Sequence, residues 1–283
     1  MSELAARKSK LELDYDGVLN RVRAYCRTKK GYEYIISEKI PVQDINGQTD
    51  RVRDLMTAEI TLPPTTPRLT DIHDDIIGAK KGRILSKERL YTVKLWLMFY
   101  RRAQTLLRES EYDASMLSVT IDSHLRSALE VFCEEGINPG GDVKLKECMG
   151  TIQELKERRY IYAKKVLKKT PKLFRGDEPT LRNNRITLPV RSDASMQEPT
   201  IVTDSSDSLA TKYREDENLI GFNNKVHIED KRIEERMLEL CVIASDVIAR
   251  NCDELLQAEQ ELTRLDCLCA KACLLYTSDA ADD

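Results

Sequence analysis

The sequence predicts a mainly α-helical fold that carries one small β element. Charged residues make up 33% of the 283 positions and aromatic residues only 6%, a balance typical of long exposed helices rather than of a compact sheet core. Apolar residues recur three and four positions apart through most of the chain, and short β-type runs occur only within about residues 177–216. We therefore expect a helical core domain followed by a long antiparallel helical arm with a β tip.

The first predicted domain covers residues 1–143 and is built around one hydrophobic helix. Residues 90–100 form the most apolar run of the chain, and Ser86 lies where an N-cap of that helix belongs. The segment LPPTTP, residues 62–67, is too rich in proline for a helix and predicts a connector. Residues 136–142, GINPGGD, predict a turn at the end of the domain.

Residues 144–272 predict the arm, with two helices and the β tip between them. The outgoing helix is amphipathic and highly charged, and Pro171 ends it. Short β-type runs follow at residues 186–190 and 200–204. A second helix returns over residues 217–271, and we expect its apolar seam to pack on the outgoing helix, with contact between two copies of the chain as the alternative. The seam consists of Ile233, Met237, Leu240, Ala244, Val247, Asn251, Leu255, Ala258, Leu262 and Leu265.

The two ends of the chain bear on its origin and location. Residues 273–283, CLLYTSDAADD, are identified as the translation of a sequencing-library adapter, so we set them aside as an artefactual tail and expect the natural gene to continue beyond Ala272. The first residues contain no apolar signal-peptide segment, and no stretch approaches the roughly 18 apolar residues of a membrane helix. A cytoplasmic protein without a membrane partner is the resulting expectation.

No arrangement of residues predicts catalysis, a bound cofactor or a metal site in this chain. Gly136 and Gly141 have the spacing of a phosphate-binding loop, but an aspartate follows where a lysine is required. The spacing of Cys267, Cys269 and Cys273 is not that of a common zinc site, so we expect the eight cysteines to be mostly buried, reduced thiols. The three histidines have no Ser or Cys partner at a catalytic spacing.

Basic residues are concentrated at the end of the outgoing helix. The stretch KERRYIYAKKVLKKTPKLFR, residues 156–175, has nine basic residues and one acidic residue, whereas residues 215–239 are rich in acidic ones. Because the net charge is −3, any affinity for nucleic acid must come from such a local patch binding phosphates. A solvated helix face is the alternative. The candidate nucleic-acid-binding residues are Lys164, Lys165, Lys168, Lys169, Lys172, Arg182, Arg185, Arg191, Lys212 and Arg214.

Three segments, in this order, resemble the type-two subgroup of the MutS family. They are LELDYDGVLNRVRAYCRTKKGYEYI at residues 11–35, LTDIHDDIIGAKKGRILSKERL at residues 69–90 and TLRNNRITLPVRSD at residues 180–193. The segments FNNKVHIEDKRIEERMLEL and LDCLCAKA extend the likeness, which covers residues 11–272. At the β tip the family has a glycine-rich stretch, and this chain has Leu209 where a glycine is expected.

The resemblance implies the N-terminal part of a DNA-binding ATPase. Residues 1–143 would be its lever domain and residues 144–272 its clamp, which would bind branched or duplex DNA and limit recombination. ATP and Mg²⁺ would bind to an ATPase domain that this chain lacks, the main homodimer contacts would lie in that same domain, and a small nuclease domain would usually follow. The chain itself would hold no cofactor and catalyse no reaction.

Two other functions are compatible with the same basic arm. Type-two MutS proteins have also been linked to stalled ribosomes, and the arm would then bind ribosomal RNA by its shape. A purely structural coiled-coil scaffold is the second alternative, and it predicts no affinity for nucleic acid at moderate salt.

Overall fold

The computed structural model describes residues 14–37, 44–110, 112–195 and 199–282, with side chains up to residue 278. It confirms the mainly α fold with a small β element. The chain divides into two compact units, which are residues 1–137 with 241–283, and residues 138–240. The predicted arm, residues 144–272, is thus shared between the two units.

In its described residues, the first unit consists mainly of helices and contains one β-hairpin. In its N-terminal part the helices are α1 (Tyr15–Tyr25), α2 (Lys29–Ser37), α3 (Ile45–Thr57), α4 (His73–Lys80), α5 (Lys87–Glu109) and α6 (Ser123–Glu130). Strands β1 (Phe132–Cys133) and β2 (Gly136–Ile137) pair in antiparallel fashion. The segment at residues 62–67 is not helical, as predicted.

Helix α5 supplies much of the core of the first unit. Ser86 caps it by accepting a hydrogen bond from the backbone N–H of Arg89 at 3.4 Å, which confirms the predicted N-cap. Leu90, Val93 and Trp96 share a buried face of the helix. Burying a large apolar side chain stabilises a fold by about 1.5–3 kcal/mol, so this face anchors the unit.

A buried carboxylate of the last helix, α9 (Cys252–Asp282), holds the break between α1 and α2. Asp266 accepts hydrogen bonds from the backbone N–H groups of Arg27 at 2.8 Å and Thr28 at 2.9 Å, and from Thr28 Oγ1 at 2.6 Å. Burial raises the pKa of Asp266 above its usual value. A Cβ atom at Gly31 would lie 2.3 Å from Asp266 Oδ2, so this close approach requires glycine.

Helix α9 packs on α1, α2, α3 and α4. The seam residues Leu255, Ala258, Leu262 and Leu265 are buried there. The prediction that this part of the seam packs on the outgoing helix is therefore wrong, because periodicity identifies the buried face of a helix but not its partner. The helix continues to Asp282, and the adapter origin of residues 273–283 stays a prediction.

The second unit contains a long helix, a sheet and the part of a further helix up to Leu240. The long helix α7 (Val143–Lys169) precedes the sheet, and α8 (Glu217–Arg250) follows it. The strands are β3 (Thr180–Arg182), β4 (Arg185–Arg191), β5 (Thr200–Ser205) and β6 (Thr211–Asp216), in the antiparallel order β3–β4–β6–β5. Both predicted β runs are confirmed as β4 and β5.

Helices α7 and α8 run antiparallel within this unit. At the start of α7, Asp142 caps the helix through the N–H of Leu145 at 2.8 Å and pairs with Arg236 of α8 at 2.7 Å. Nearer the end of α7, Arg159 donates to Asn223 of α8 at 3.0 Å. The hydrogen bond from Arg236 lowers the pKa of Asp142, so the capping carboxylate is held in its charged form.

The cysteines are free thiols, and five of the eight are buried. Among the residues described, no group of three or more His, Cys, Asp or Glu side chains is arranged to hold a metal ion. No helix in the described ranges combines the length and the apolar character needed to cross a membrane.

Candidate nucleic-acid interface

The last turns of α7 have a buried face and a basic face. Ala163 and Leu167 are buried and pack in one cluster with apolar side chains of β4. Because an α-helix turns by about 100° per residue, this packing fixes which side chains point outward. Lys165 and Lys168 lie off the packed face and are exposed.

A short 3-10 turn, Pro171–Leu173, continues the basic surface beyond the helix. The turn is anchored because Phe174 is 5% exposed and the backbone N–H of Arg175 donates to the carbonyl of Pro189 at 2.8 Å. Lys172 stands exposed on this anchored turn. In the described part of the chain, neither Lys172 nor the exposed lysines of α7 at positions 165 and 168 form an ion pair.

Lys165 and Lys172 line a groove of about 980 Å³, which we call the lysine groove. Its described lining contains three lysines and no acidic residue. The lining residues are Tyr162, Lys165, Val166, Lys169, Thr170, Pro171, Lys172, Leu173, Ser195 and Asn218. A cationic rim of this kind matches the charge of a phosphate backbone.

Lys164 has a partner of its own beside the groove. Its Nζ lies 2.5 Å from Glu178 Oε1 and 5.7 Å from the centroid of the Tyr160 ring. The hydrogen bond to Glu178 raises the pKa of Lys164. Exposed ion pairs contribute only about 0–1 kcal/mol, so a phosphate can replace Glu178 at little cost.

Two predicted arginines of the sheet are exposed and already paired. Arg182 donates to the hydroxyl of Tyr213 at 2.9 Å and lies 3.9 Å from Asp204. Arg191 pairs with Asp193 through two contacts of 3.2 Å. Their positive charges are partly neutralised by these neighbouring carboxylates.

The two predicted cations of β6 are half-buried. Lys212 lies opposite Val190 of β4, and Arg214 lies opposite Leu188. Arg214 donates to Thr200 Oγ1 at 3.0 Å, while its Nε is buried without a hydrogen-bond partner among the described residues. These two residues are less accessible to a polyanion than the lysines of α7.

Comparison with known proteins shows which proteins the chain is similar to. No family model matches it, but several curated proteins named Endonuclease MutS2 are similar to it. The protein of Clostridium beijerinckii is 25% identical over 241 residues, which cover 80% of this chain and 31% of the relative. The proteins of Clostridium perfringens strain 13 and Thermomicrobium roseum are 23% and 26% identical, covering 94% and 75% of this chain and 35% and 28% of the relatives.

The chain is a MutS2 homologue. It spans about a third of the length of the curated relatives it matches.

In this MutS2 homologue, Arg185 has a structural partner that the sequence did not reveal. Its Nε and Nη2 donate to the carboxylate of Glu215 at 2.7 and 2.6 Å, and its Nη1 donates to Asn224 at 3.1 Å. Glu215 is fully buried. An unpaired buried carboxylate is strongly destabilising, so Arg185 neutralises Glu215 and is not a free cation for phosphate.

Asn223 of α8 organises the same region and was also missed. Its amide donates to the carbonyl of Ile186 at 2.9 Å and to Glu215 at 2.8 Å, and it accepts from the N–H of Ile186 at 3.0 Å and from Arg159 at 3.0 Å. The side chain thus takes the place of a neighbouring strand for this residue of β4. No local sequence pattern signals such a role, because the partners lie up to 64 positions apart.

At Leu209, where the resemblance leads us to expect a glycine, the backbone has a conformation that favours glycine. This residue lies in the turn between β5 and β6, where its backbone φ is +52° and its N–H donates to the carbonyl of Ser206 at 2.8 Å. A left-handed conformation is natural for glycine and strained for leucine. Leu209 therefore occupies a turn position that a glycine would favour, and its side chain is 70% exposed.

Proposed function

We propose that the second unit of this chain is a DNA clamp element that binds the phosphate backbone through the lysine groove. The observation that carries the proposal is the cluster of Lys165, Lys168 and Lys172. All three are exposed, and none forms an ion pair with another described residue. Lys165 and Lys172 line the groove and Lys168 lies beside it on the same helix. None of the described lining residues is acidic.

Phosphate contact by these lysines would be independent of base sequence. Each contact releases condensed counterions from DNA, which makes the affinity depend on salt. The net charge of −3 means that the attraction is local to the groove rather than a property of the whole surface. Duplex and branched DNA both present the backbone that such a surface needs.

The predicted cations contribute unequally in this proposal. Lys165, Lys168, Lys169 and Lys172 make the primary contacts at the groove. Three further residues exchange an exposed partner for a phosphate: Lys164, Arg182 and Arg191. Lys212 and Arg214 are half-buried, so they contribute positive charge near the DNA without contacting a phosphate. Arg185 does not bind phosphate, because it neutralises Glu215.

For the whole protein we propose the role implied by the family resemblance. The first unit would act as a lever that moves the clamp, in a protein that limits recombination. ATP, Mg²⁺ and the contacts of a homodimer would belong to parts outside this chain. The relatives carry the name endonuclease, and any nuclease activity would likewise lie outside it.

Charge reversal at the groove should abolish most of the DNA affinity. We expect the triple variant Lys165→Glu, Lys168→Glu, Lys172→Glu to bind a 30-base-pair duplex on the order of 100-fold more weakly at low salt, because three phosphate contacts become repulsive. Fluorescence anisotropy of a labelled duplex measures the change in Kd, and circular dichroism confirms that the variant is folded.

Lys144 and Lys146 provide the matched control. They are exposed lysines at the start of the same helix, away from the groove lining. The double variant Lys144→Glu, Lys146→Glu should change the Kd by less than about threefold. Equal losses in both variants, or no loss in the groove variant, would mean that the lysine groove is not the DNA site. Tighter binding of structured RNA than of DNA by the unmodified chain would favour the ribosomal alternative.

A further inference from the structure

The floor of the lysine groove is apolar, so it has no role in binding phosphates. Tyr162, Val166 and Leu173 line it and are half-buried, with lysines at the rim. A surface that only tracked a phosphate backbone would need the rim and not this floor. The combination of an apolar floor with a cationic rim fits a ligand that has a flat apolar part and an attached anion.

Tyr162 is held in place before any ligand arrives. Its hydroxyl donates to Asp216 Oδ2 at 3.0 Å and accepts from Asn218 Nδ2 at 3.2 Å. Its ring lies 5.7 Å from that of Phe222, at 42° between the ring planes. Asp216 is itself fixed, because it is 4% exposed and accepts from the N–H of Leu219 at 2.8 Å. A ring fixed in this way loses little conformational entropy when a second ring stacks on it.

The size of the groove suits one nucleotide better than a helix of DNA. Small-molecule sites have volumes of roughly 300–1,000 Å³, and the lysine groove lies at the upper end, at about 980 Å³. Bases inside a duplex are covered by their neighbours, so a paired base reaches such a floor only by leaving the stack, at a cost of a few kcal/mol. An unpaired base avoids that cost.

We infer that the lysine groove binds an unpaired nucleotide of DNA. The base lies on the floor formed by Tyr162, Val166 and Leu173, and Lys165 and Lys172 bind the adjacent phosphates. This inference rests on the proposed DNA-binding function and adds its substrate class. A single-stranded base beside its phosphates should therefore bind more tightly than the same phosphates without a base, although no base sequence is read.

A pair of tailed duplexes tests the inference on the unmodified chain. One 20-base-pair duplex carries a single-stranded tail of four deoxyadenosines, and the other carries a tail of four abasic sites with the same phosphates. Stacking on an aromatic side chain stabilises binding of each base appreciably, so we expect the adenine tail to bind at least tenfold more tightly. A 2-aminopurine in the tail should also lose fluorescence on binding.

Tyrosine variants separate stacking from general effects. Tyr162→Leu should reduce the tenfold preference to less than about twofold, whereas Tyr162→Phe, which keeps the ring but loses the hydroxyl that fixes it, should retain part of the preference. Tyr160→Leu is the matched control, because Tyr160 is an exposed tyrosine of the same helix that pairs with Glu178 and does not line the groove.

The outcomes distinguish this inference from the proposed function. Equal affinity for adenine and abasic tails, with salt-sensitive binding of both, would overturn the inference and leave phosphate binding intact. Absence of binding to every DNA at low salt would overturn both. Tighter binding of an RNA tail than of the same DNA tail would overturn the assignment to DNA.

Discussion

Replacing Asn223 with alanine is expected to lower the free energy of unfolding of the second unit by about 3–5 kcal/mol. The amide makes four hydrogen bonds, to both backbone groups of Ile186 and to the side chains of Glu215 and Arg159. Arg159 is 4% exposed, it donates to Asn223 through Nη1, and its Nε already lacks a hydrogen-bond partner in the described ranges. Alanine would leave several buried polar groups unsatisfied at once, and burial already lowers the pKa of Arg159.

Urea unfolding followed by circular dichroism measures this loss, and hydrogen exchange of the β4 amides assigns it to the second unit. Asn224→Ala is the matched control, since Asn224 is exposed and makes one hydrogen bond to Arg185 at 3.1 Å. We expect less than about 1 kcal/mol from the control. If the two variants lost equal stability, Asn223 would not be the structural link between α8 and β4.

Replacing Asp266 with alanine should destabilise the first unit by about 3–4 kcal/mol. The carboxylate, which is 1% exposed, accepts three hydrogen bonds at the break between α1 and α2. Removing it leaves the N–H groups of Arg27 and Thr28 without their acceptor. Because Trp96 is buried in this unit and is the single tryptophan of the chain, its fluorescence during urea unfolding reports the change.

Asp253 gives the control for this second prediction. It lies on the same helix, its side chain is 84% exposed, and it pairs with Lys80 at 2.8 Å. Asp253→Ala should cost no more than about 1 kcal/mol, because exposed ion pairs are weak. A loss at Asp266 no larger than that at Asp253 would show that the break between α1 and α2 does not depend on the buried carboxylate.

The elements that the sequence predicts well are those specified by local chemistry. The amphipathic pattern and Pro171 locate the end of α7, and Ser86 marks the start of α5. The runs at residues 186–190 and 200–204 locate β4 and β5 because each is rich in β-branched residues and polar turn residues separate them. Each of these signals lies within a few positions of the feature it predicts.

The features that escaped prediction depend on partners far away in the sequence. The seam of α9 packs on α1 to α4, and its periodicity could not identify them. Arg185 looks like any other basic residue of the tip, and only the position of Glu215 on β6 shows that it is neutralised. The groove likewise requires α7, the turn after it and the start of α8 to come together, so its apolar floor is not visible in the basic run.

A salt titration gives the sharpest test of phosphate binding by the lysine groove. The slope of log Kd against log salt counts phosphate contacts, at roughly 0.9 for each contact with duplex DNA. We expect the neutral variant Lys165→Ala, Lys168→Ala, Lys172→Ala to have a slope smaller by about 3 than the unmodified chain. An unchanged slope in this variant, with binding retained, would contradict the proposal that these lysines bind DNA.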